Sequence, residues 1–503
     1  MPSMSGKQAL AQMLVAEGVE YIFGNPGTSE TPFLDVLQDY PQLRYIQALQ
    51  EGTAVGMADG YARATGRPSF ANIHIAGGLA NGLSALYNAH RGGTPMILTA
   101  GNSDTRMHLA DPVLSGDLVQ MTAQYTKWST EILHASDVPI AVRRAFKEAK
   151  TPPTGPVFLS FPWDTMDDVS DVEIAPSSTG FYRIRPDTDA IASASKLLSQ
   201  ADNPVIVVGD RVAQSDAVSR VVSLAERLGA KVYASAYTEV NFPTSHPLYA
   251  GILNLNNPTT AGQLAVADVV LAIGANVFNS FLYVDTPFLA PATKLIHLDS
   301  SYQEVEKIYA TEVGILADPG EGAAELTDAL GQDMSASAKE AAATRAAKYA
   351  DERRQSDERY QERLKGLMGR RPMAVEEMMK ELAQASPPDV IIADEAITSR
   401  PALNRAFSFD EPGSFYGIQG GSLGWAMPGA LGVKLANPDK PVLAVVGDGA
   451  SLYTIQALWT AARYNIPVVY AICNNQAYRI LKVNMDIYLQ RMLEDKERSS
   501  DYV

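Results

Sequence analysis

Short apolar runs rich in β-branched and aromatic residues punctuate the chain, and between them apolar residues return every third or fourth position. Strand-like runs alternating with helical spacing predict βαβ crossovers and parallel sheets, because each crossover carries the chain back over one face of its sheet. Three blocks follow. Residues 1–165 hold Tyr45-Ile-Gln-Ala-Leu, Ser69-Phe-Ala-Asn-Ile-His, Pro95-Met-Ile-Leu-Thr-Ala and Pro156-Val-Phe-Leu-Ser-Phe, four strands predicted to share one sheet. A polar passage from Trp163 to Thr179 reads as a connector. Residues 186–335 carry Pro204-Val-Ile-Val-Val-Gly, Lys231-Val-Tyr-Ala-Ser-Ala, Val269-Val-Leu-Ala-Ile-Gly and Lys294-Leu-Ile-His-Leu-Asp, a Rossmann-like arrangement. Yet Gly209-Asp210-Arg211-Val212, after its first strand, lacks the glycine fingerprint that admits a pyrophosphate, so dinucleotide binding there is disfavoured. Ser337 to Gly369, rich in Ala, Glu, Lys, Arg and Gln, reads as a solvated charged helix and linker. Residues 370–503 add Val390-Ile-Ile-Ala-Asp, Pro441-Val-Leu-Ala-Val-Val and Pro467-Val-Val-Tyr-Ala-Ile-Cys. The predicted fold class is α/β, with three doubly wound parallel-sheet domains.

Length and composition agree with that division. A chain of 503 residues suits about three ordinary domains better than one oversized core. Its 41 Lys and Arg stand against 57 Asp and Glu, a net charge of −16, which removes the electrostatic drive toward nucleic acid or an anionic membrane. No run of apolar residues is long enough for a bilayer, and the opening Met-Pro-Ser-Met-Ser-Gly-Lys lacks a signal-peptide apolar region. Cys473 is the single cysteine and has no partner for an internal disulfide, so the expected compartment is the reducing cytoplasm.

The third block carries the most informative chemistry. After the apolar strand Pro441–Val446 come Gly447-Asp448-Gly449, then Leu452, Ile455, Leu458 and Ala462 at helical spacing, then the strand Pro467–Cys473 ending in Asn474-Asn475. In an open parallel sheet the C-terminal strand ends form the ligand crevice, so Asp448 and Asn475 should converge on one rim. Glycines flanking Asp448 let main chain approach a phosphate, and a carboxylate, an amide oxygen, a backbone carbonyl and two phosphate oxygens suit octahedral Mg²⁺, or Ca²⁺ in its place. This describes a cation-bridged diphosphate site. A Gly-Asp-Gly triplet alone arises by chance in about one such chain in ten, and the Asn pair on the next strand lowers that by roughly two orders of magnitude. The plainer reading is a tight βα turn followed by an Asn-capped loop.

Gly447-Asp448-Gly449 with Asn474-Asn475 resembles the motif of thiamine-diphosphate-dependent 2-oxo acid decarboxylases and acetolactate synthases. Gly24-Asn25-Pro26-Gly27-Thr28, Gln50-Glu51-Gly52 leading into Ala58-Asp59-Gly60-Tyr61-Ala62-Arg63, and Asn72-Ile73-His74 resemble the pyrimidine-binding domain of the benzoylformate decarboxylases within that family. The resemblance runs through nearly the whole chain. It implies a pyrimidine-binding first domain, a Rossmann-like middle domain and a diphosphate-binding third domain. It also implies thiamine diphosphate held between subunits, hence a homodimer or homotetramer.

The resemblance assigns roles residue by residue. Glu51 matches the carboxylate that shares a proton with the aminopyrimidine ring; its modest alternative is an acid in a helix's first turn, worth about 0.3–1 kcal/mol against the macrodipole. Gly421 matches the carbonyl that receives the 4′-amino hydrogen, and Leu423 the bulky side chain that bends the cofactor. Asn25, Pro26, Ile397, Thr398, Gly449, Ala450, Ala477 and Tyr478 match cofactor-binding positions, Ala477 offering a carbonyl to the metal beside Asp448 and Asn475. Ordinary loop packing is the competing reading for these. His74 matches a histidine that handles protons on the adduct, against the alternative of a buried, satisfied imidazole. Thr28 replaces a serine that holds the substrate carboxylate.

Two departures stand out. Where the family places a second active-site histidine, Val277-Phe278-Asn279-Ser280-Phe281 offers Phe281, and neither His90 nor His108 can be placed in the site. Family members continue past the point where this chain stops at Val503, and Glu494-Asp495-Lys496-Glu497-Arg498 resembles a surface helix, so truncation is expected. The implied activity is decarboxylation of a 2-oxo acid to an aldehyde, benzoylformate-like, with Phe281 and Leu481 lining an apolar pocket. Carboligation of the acetolactate-synthase type and a non-catalytic cofactor-binding subunit are the alternatives.

Overall fold

The computed structural model describes residues 2–180, 182–235, 238–253, 262, 264–278 and 287–489. Phe281 and the Glu494–Arg498 stretch lie outside the described residues. The chain divides into two compact units, one of Met1–Gly180 with Pro387–Pro401 and Gly417–Val503, the other of Phe181–Ser386 with Ala402–Tyr416.

The first unit contains a parallel sheet in the order Arg44–Gln47, Tyr21–Asn25, Ser69–Ile73, Met96–Asn102, Pro156–Pro162, Trp128–Glu131. Ser69–Ile73 and Pro156–Pro162 are buried at every position, as expected of strands covered by helices on both faces. Alternate residues serve opposite faces: Ile22 joins the core under helices Gly6–Ala16 and Val138–Lys150, while Phe23 packs 5.6 Å from Tyr61 of helix Glu51–Thr65. The four anticipated runs fall on Arg44–Gln47, Ser69–Ile73, Met96–Asn102 and Pro156–Pro162; Tyr21–Asn25, whose apolar run is cut short at Gly24, and the polar edge strand Trp128–Glu131 were not anticipated. The polar passage after Trp163 also contains a short strand, Val169–Asp171, paired antiparallel with Ser3–Ser5.

A second sheet in this unit runs Val442–Gly447 parallel between Ile391–Glu395 and Val469–Cys473. It is joined to the first by helix Ala426–Ala436 lying against helix Glu51–Thr65. Their backbones touch through glycines: a Cβ at Gly60 would stand 2.2 Å from the Gly429 carbonyl oxygen, and one at Gly432 would stand 2.0 Å from that of Met57. Buried Asp59 accepts a hydrogen bond from Trp425 Nε1, and the Arg63 guanidinium lies 4.8 Å over the Trp425 ring. The single helix anticipated over Leu452–Ala462 is instead two pieces, Asp448–Ser451 and Ala457–Tyr464. Leu452, Ile455 and Leu458 are 69%, 39% and 43% exposed. Their spacing imitates an amphipathic stripe, but among the described residues no core receives it.

The second unit holds a parallel sheet in the order Tyr249–Ile252, Lys231–Ala234, Pro204–Val208, Val269–Ile273, Lys294–Asp299, Val313–Leu316. At its C-terminal rim, Arg211 grips buried Asp299 with both Nε and Nη2 at 2.7 Å and Asn276 with Nη2 at 2.7 Å. A Cβ at Gly209 would stand 2.4 Å from the Gly274 carbonyl oxygen, so main chain fills the gap between the two central strand ends. The charged stretch is helix Ala336–Lys365, with Ala342, Tyr349 and Leu364 its buried residues.

Candidate active site

Three groups of residues gather at strand ends of the first unit. The first forms around Glu51. Gln50 caps helix Glu51–Thr65, its side-chain oxygen accepting from Thr53 N at 2.9 Å, which leaves Glu51 in the first turn, 7% exposed. One carboxylate oxygen accepts from Asn25 Nδ2 and the other from Asn81 Nδ2, both at 3.0 Å. Gly78 allows this approach, since a Cβ there would stand 2.8 Å from Glu51 Oε1. A carboxylate with each oxygen held by an amide is fixed in direction and can hold a proton at a defined point.

The second group surrounds His74, which follows strand Ser69–Ile73. Its Nδ1 lies 3.0 Å from Glu30 Oε2 and 3.0 Å from Ser29 Oγ. Glu30 is itself 2% exposed and accepts from the N–H groups of Gly27 and Gly101 at 2.7 Å each. Gly27 is required beside the imidazole, where a Cβ would stand 2.2 Å from Nδ1. With Nδ1 committed to Glu30, Nε2 is the ring nitrogen left for chemistry. Thr28 is exposed on the same short turn, Thr28–Glu30. Glu30, Ser29 and Asn81 escaped sequence reading. The signal for Glu30 was its place two residues after Thr28, in the turn that the family resemblance had already singled out.

The third group lies at the ends of Val442–Gly447 and Val469–Cys473. Gln476 N donates to Asp448 Oδ2 at 3.1 Å and Ala477 N to Asn475 Oδ1 at 3.0 Å, so the two loops meet as their strand ends required. Among the described residues nothing lies within 4 Å of a Cβ built on Gly449, which is exposed, so the described surroundings leave space beside Asp448 for a ligand's oxygens. Ala450 is buried, Ile397 and Thr398 are half-buried just beyond strand Ile391–Glu395, and Tyr478 and Leu481 are 47% and 39% exposed. Burial pushes the Cys473 thiol up to about 11, keeping it protonated and unreactive.

Between the first and third groups stands the turn bearing Gly421 and Leu423. It borders a polar cavity of about 150 Å³ lined by Gln50, Gly52, Asn88, Leu423 and Thr454. Among the described residues no hydrogen bond or ion pair joins the Glu51 group to the Asp448 group, and no cluster of three His, Cys, Asp or Glu could hold a metal unaided. Asp448, the Asn475 amide and the Ala477 carbonyl therefore fit a hard cation only together with oxygens from a bound diphosphate. His90 sits beside Tyr125, ring centroids 6.2 Å apart, and His108 lies on the 3₁₀ turn Thr105–Ala110. No helix among the described residues is long and apolar enough to cross a membrane.

Comparison with known proteins agrees with this organisation. Family models match residues 4–124 (thiamine pyrophosphate enzyme, N-terminal TPP binding domain), 191–326 (central domain) and 398–502 (C-terminal TPP binding domain). The benzoylformate decarboxylase of Pseudomonas aeruginosa is 33% identical over 482 residues, covering 94% of this chain and 86% of that protein. A probable acetolactate synthase large subunit of Methanocaldococcus jannaschii is 29% identical over 506 residues, covering 96% and 82%. The crystal structure of benzoylformate decarboxylase from Polynucleobacter necessarius superposes with a TM-score of 0.84 at 26% identity, covering 97% of this chain and 88% of that one.

Proposed function

Because the chain belongs to the thiamine pyrophosphate enzymes, we propose that it decarboxylates a 2-oxo acid of the benzoylformate type to the aldehyde and CO₂, using thiamine diphosphate and Mg²⁺. The observation that carries this choice is the Glu30–His74 pair at 3.0 Å beside Thr28. An imidazole whose second nitrogen has no hydrogen-bond partner among the described residues, and whose orientation is held by a buried carboxylate, is suited to deliver a proton, the step that separates aldehyde release from ligation.

When bound, the cofactor supplies a nucleophilic carbon and an electron sink. The chain's residues hold and aim it. Glu51, fixed by Asn25 and Asn81, holds a proton at the aminopyrimidine ring. Asp448, Asn475 and the Ala477 carbonyl hold the cation, with Pro26 on the pyrimidine side and Ile397, Thr398, Gly449, Ala450 and Tyr478 around the diphosphate. The Gly421 carbonyl and Leu423 would bear on the aminopyrimidine, the Thr28 hydroxyl would orient the substrate carboxylate, and Leu481 would offer the substrate an apolar surface. Exposed Leu452, Tyr453, Leu458 and Trp459 on the diphosphate-binding domain support assembly as a homodimer or homotetramer, with a second copy completing each site. The lone cysteine supports a cytoplasmic setting.

The deciding experiment supplies purified protein with thiamine diphosphate, Mg²⁺ and either benzoylformate or pyruvate, and identifies products. Benzaldehyde with stoichiometric CO₂ is expected. Acetolactate or benzoin-type products in place of aldehyde would favour carboligation, which Phe281 in the histidine position and the acetolactate synthase relatives also support. Cofactor binding with no CO₂ from any 2-oxo acid would favour a non-catalytic subunit.

A further inference from the structure

The turn that carries Gly421 and Leu423 is bracketed by two glycines in left-handed conformations, Gly421 at φ +84° and Gly424 at φ +98°. A Cβ on Gly424 would stand 2.7 Å from that of Tyr453, so the backbone has no room to relax outward there. Outside regular structure, such a turn keeps one geometry only if its N–H and C=O groups are tied down. Three side chains do this. Asn88, 2% exposed, donates through Nδ2 to the Ser422 carbonyl at 2.7 Å and accepts from Ser422 N at 3.1 Å. Thr454 Oγ1 donates to the Gly424 carbonyl at 2.7 Å. Glu395 accepts from Gly424 N through Oε1 at 2.6 Å and from Ala426 N through Oε2 at 2.7 Å.

The Glu395 tie is the unexpected one. The side chain is fully buried, at the end of strand Ile391–Glu395 and in register with Val446, two residues before Asp448. Burying a carboxylate is costly unless it is paired or hydrogen-bonded; the neighbouring cation, Arg400, is hydrogen-bonded to Asp394, so the two main-chain N–H groups are what offset the cost at Glu395. The two oxygens of a carboxyl group can accept two diverging main-chain N–H groups at once; glutamine would turn a donor toward one of them.

We propose that Glu395 is a positioning residue, which by holding Gly424 N and Ala426 N sets the Gly421 carbonyl and the Leu423 side chain at the angle the aminopyrimidine requires. It acts through the turn and does not touch the cofactor. The inference rests on the thiamine diphosphate reading above.

The test compares wild type with Glu395→Gln and Thr454→Val, the latter removing one tie without disturbing a buried charge. Three quantities are read: thiamine diphosphate affinity by titration, hydrogen exchange at C2 of the bound cofactor by acid quench and NMR, and thermal unfolding of the cofactor-free protein. Exchange in Glu395→Gln should slow by about 10–100-fold, the scale of a misplaced reacting group, with a smaller change in affinity. Thr454→Val should slow exchange in the same direction and by less, with cofactor-free unfolding close to wild type. Wild-type exchange in both variants overturns the proposal. So does slowing in Glu395→Gln that tracks lost folded protein while Thr454→Val behaves as wild type. If the wild-type protein binds no thiamine diphosphate, the reading of the function fails first and takes this inference with it.

Discussion

At the scale of single residues, the family resemblance singled out the acid at Glu51 but not the acid at Glu30. Glu51 stands directly before an apolar helical run and is flanked by Gln50 and Gly52, a local context that can be read without a fold. Glu30 acquires its meaning from an imidazole 44 residues away, a proximity that only the parallel pairing of Tyr21–Asn25 with Ser69–Ile73 creates. That pairing makes an order of effects testable. His74→Ala should lower kcat by about 10²–10⁴, the usual range for a positioned proton-transfer group. Glu30→Gln should lower it less, because the imidazole remains but loses the carboxylate that orients it; cofactor affinity, measured alongside, should be unchanged in both. A second residue-scale expectation concerns Glu395, whose carboxyl burial pushes up to about 7, against the pull of the Ala426 and Gly424 N–H groups. A raised folded value means that the native state binds more protons than the unfolded chain between about pH 4.5 and pH 7, so this group's contribution to stability falls as pH rises through that window. Denaturant unfolding of the cofactor-free wild type, measured relative to Glu395→Gln at about pH 5 and about pH 7.5, should show the wild type losing ground at the higher pH.

At the scale of elements, strands buried on both faces were legible because burial leaves them continuously apolar, while Trp128–Glu131, an edge strand with half-buried residues, was not. The anticipated helix over Leu452–Ala462 failed for the converse reason: apolar spacing records that a surface is to be covered without recording by what. Helix Glu51–Thr65 is legible as a helix, but its glycines look like liabilities until Ala426–Ala436 is laid across them. Gly432→Ala would then force a methyl to within 2.0 Å of the Met57 carbonyl oxygen. Overpacking of this kind typically costs about 1–3 kcal/mol, and rigid main chain on the far side places this site at the upper end. Gly331→Ala, in helix Pro319–Asp333 with nothing within 4 Å of the new methyl, should instead stabilise by roughly 0.5–1 kcal/mol, since only the flexibility of the unfolded chain is lost. Denaturant midpoints of the two variants, moving in opposite directions, would separate close backbone packing from helix propensity.

At the scale of the whole molecule, the α/β class was readable from alternation alone, but the union of the first and third blocks in one compact unit was not, because the residues that join them, Asp59 and Trp425, are 366 positions apart. Net charge also acts at this scale. At −16 the protein repels itself at neutral pH, and acidification toward its isoelectric point near 4.9 relieves that repulsion, so global charge alone predicts a gain in stability on the way down. Paired carboxylates oppose this further down. For Asp299, burial alone would raise the carboxyl's pKa, but the His297 imidazole 3.6 Å away and the Arg211 guanidinium hydrogen-bonded to it outweigh burial and hold the group below the usual carboxylate range. A depressed folded value gives stability that is present above the unfolded pKa of about 3.9 and is lost as pH falls through the lower, folded value. Asp299→Asn removes that contribution and leaves the Arg211 guanidinium facing a neutral amide, which should cost about 3–5 kcal/mol at neutral pH. The variant's deficit should shrink as wild type and variant are unfolded at progressively lower pH below about 4, because wild type is then losing what the variant never had. A deficit constant across that range would mean that the Arg211–Asp299 contact stabilises by shape alone and that acid sensitivity resides elsewhere in the chain.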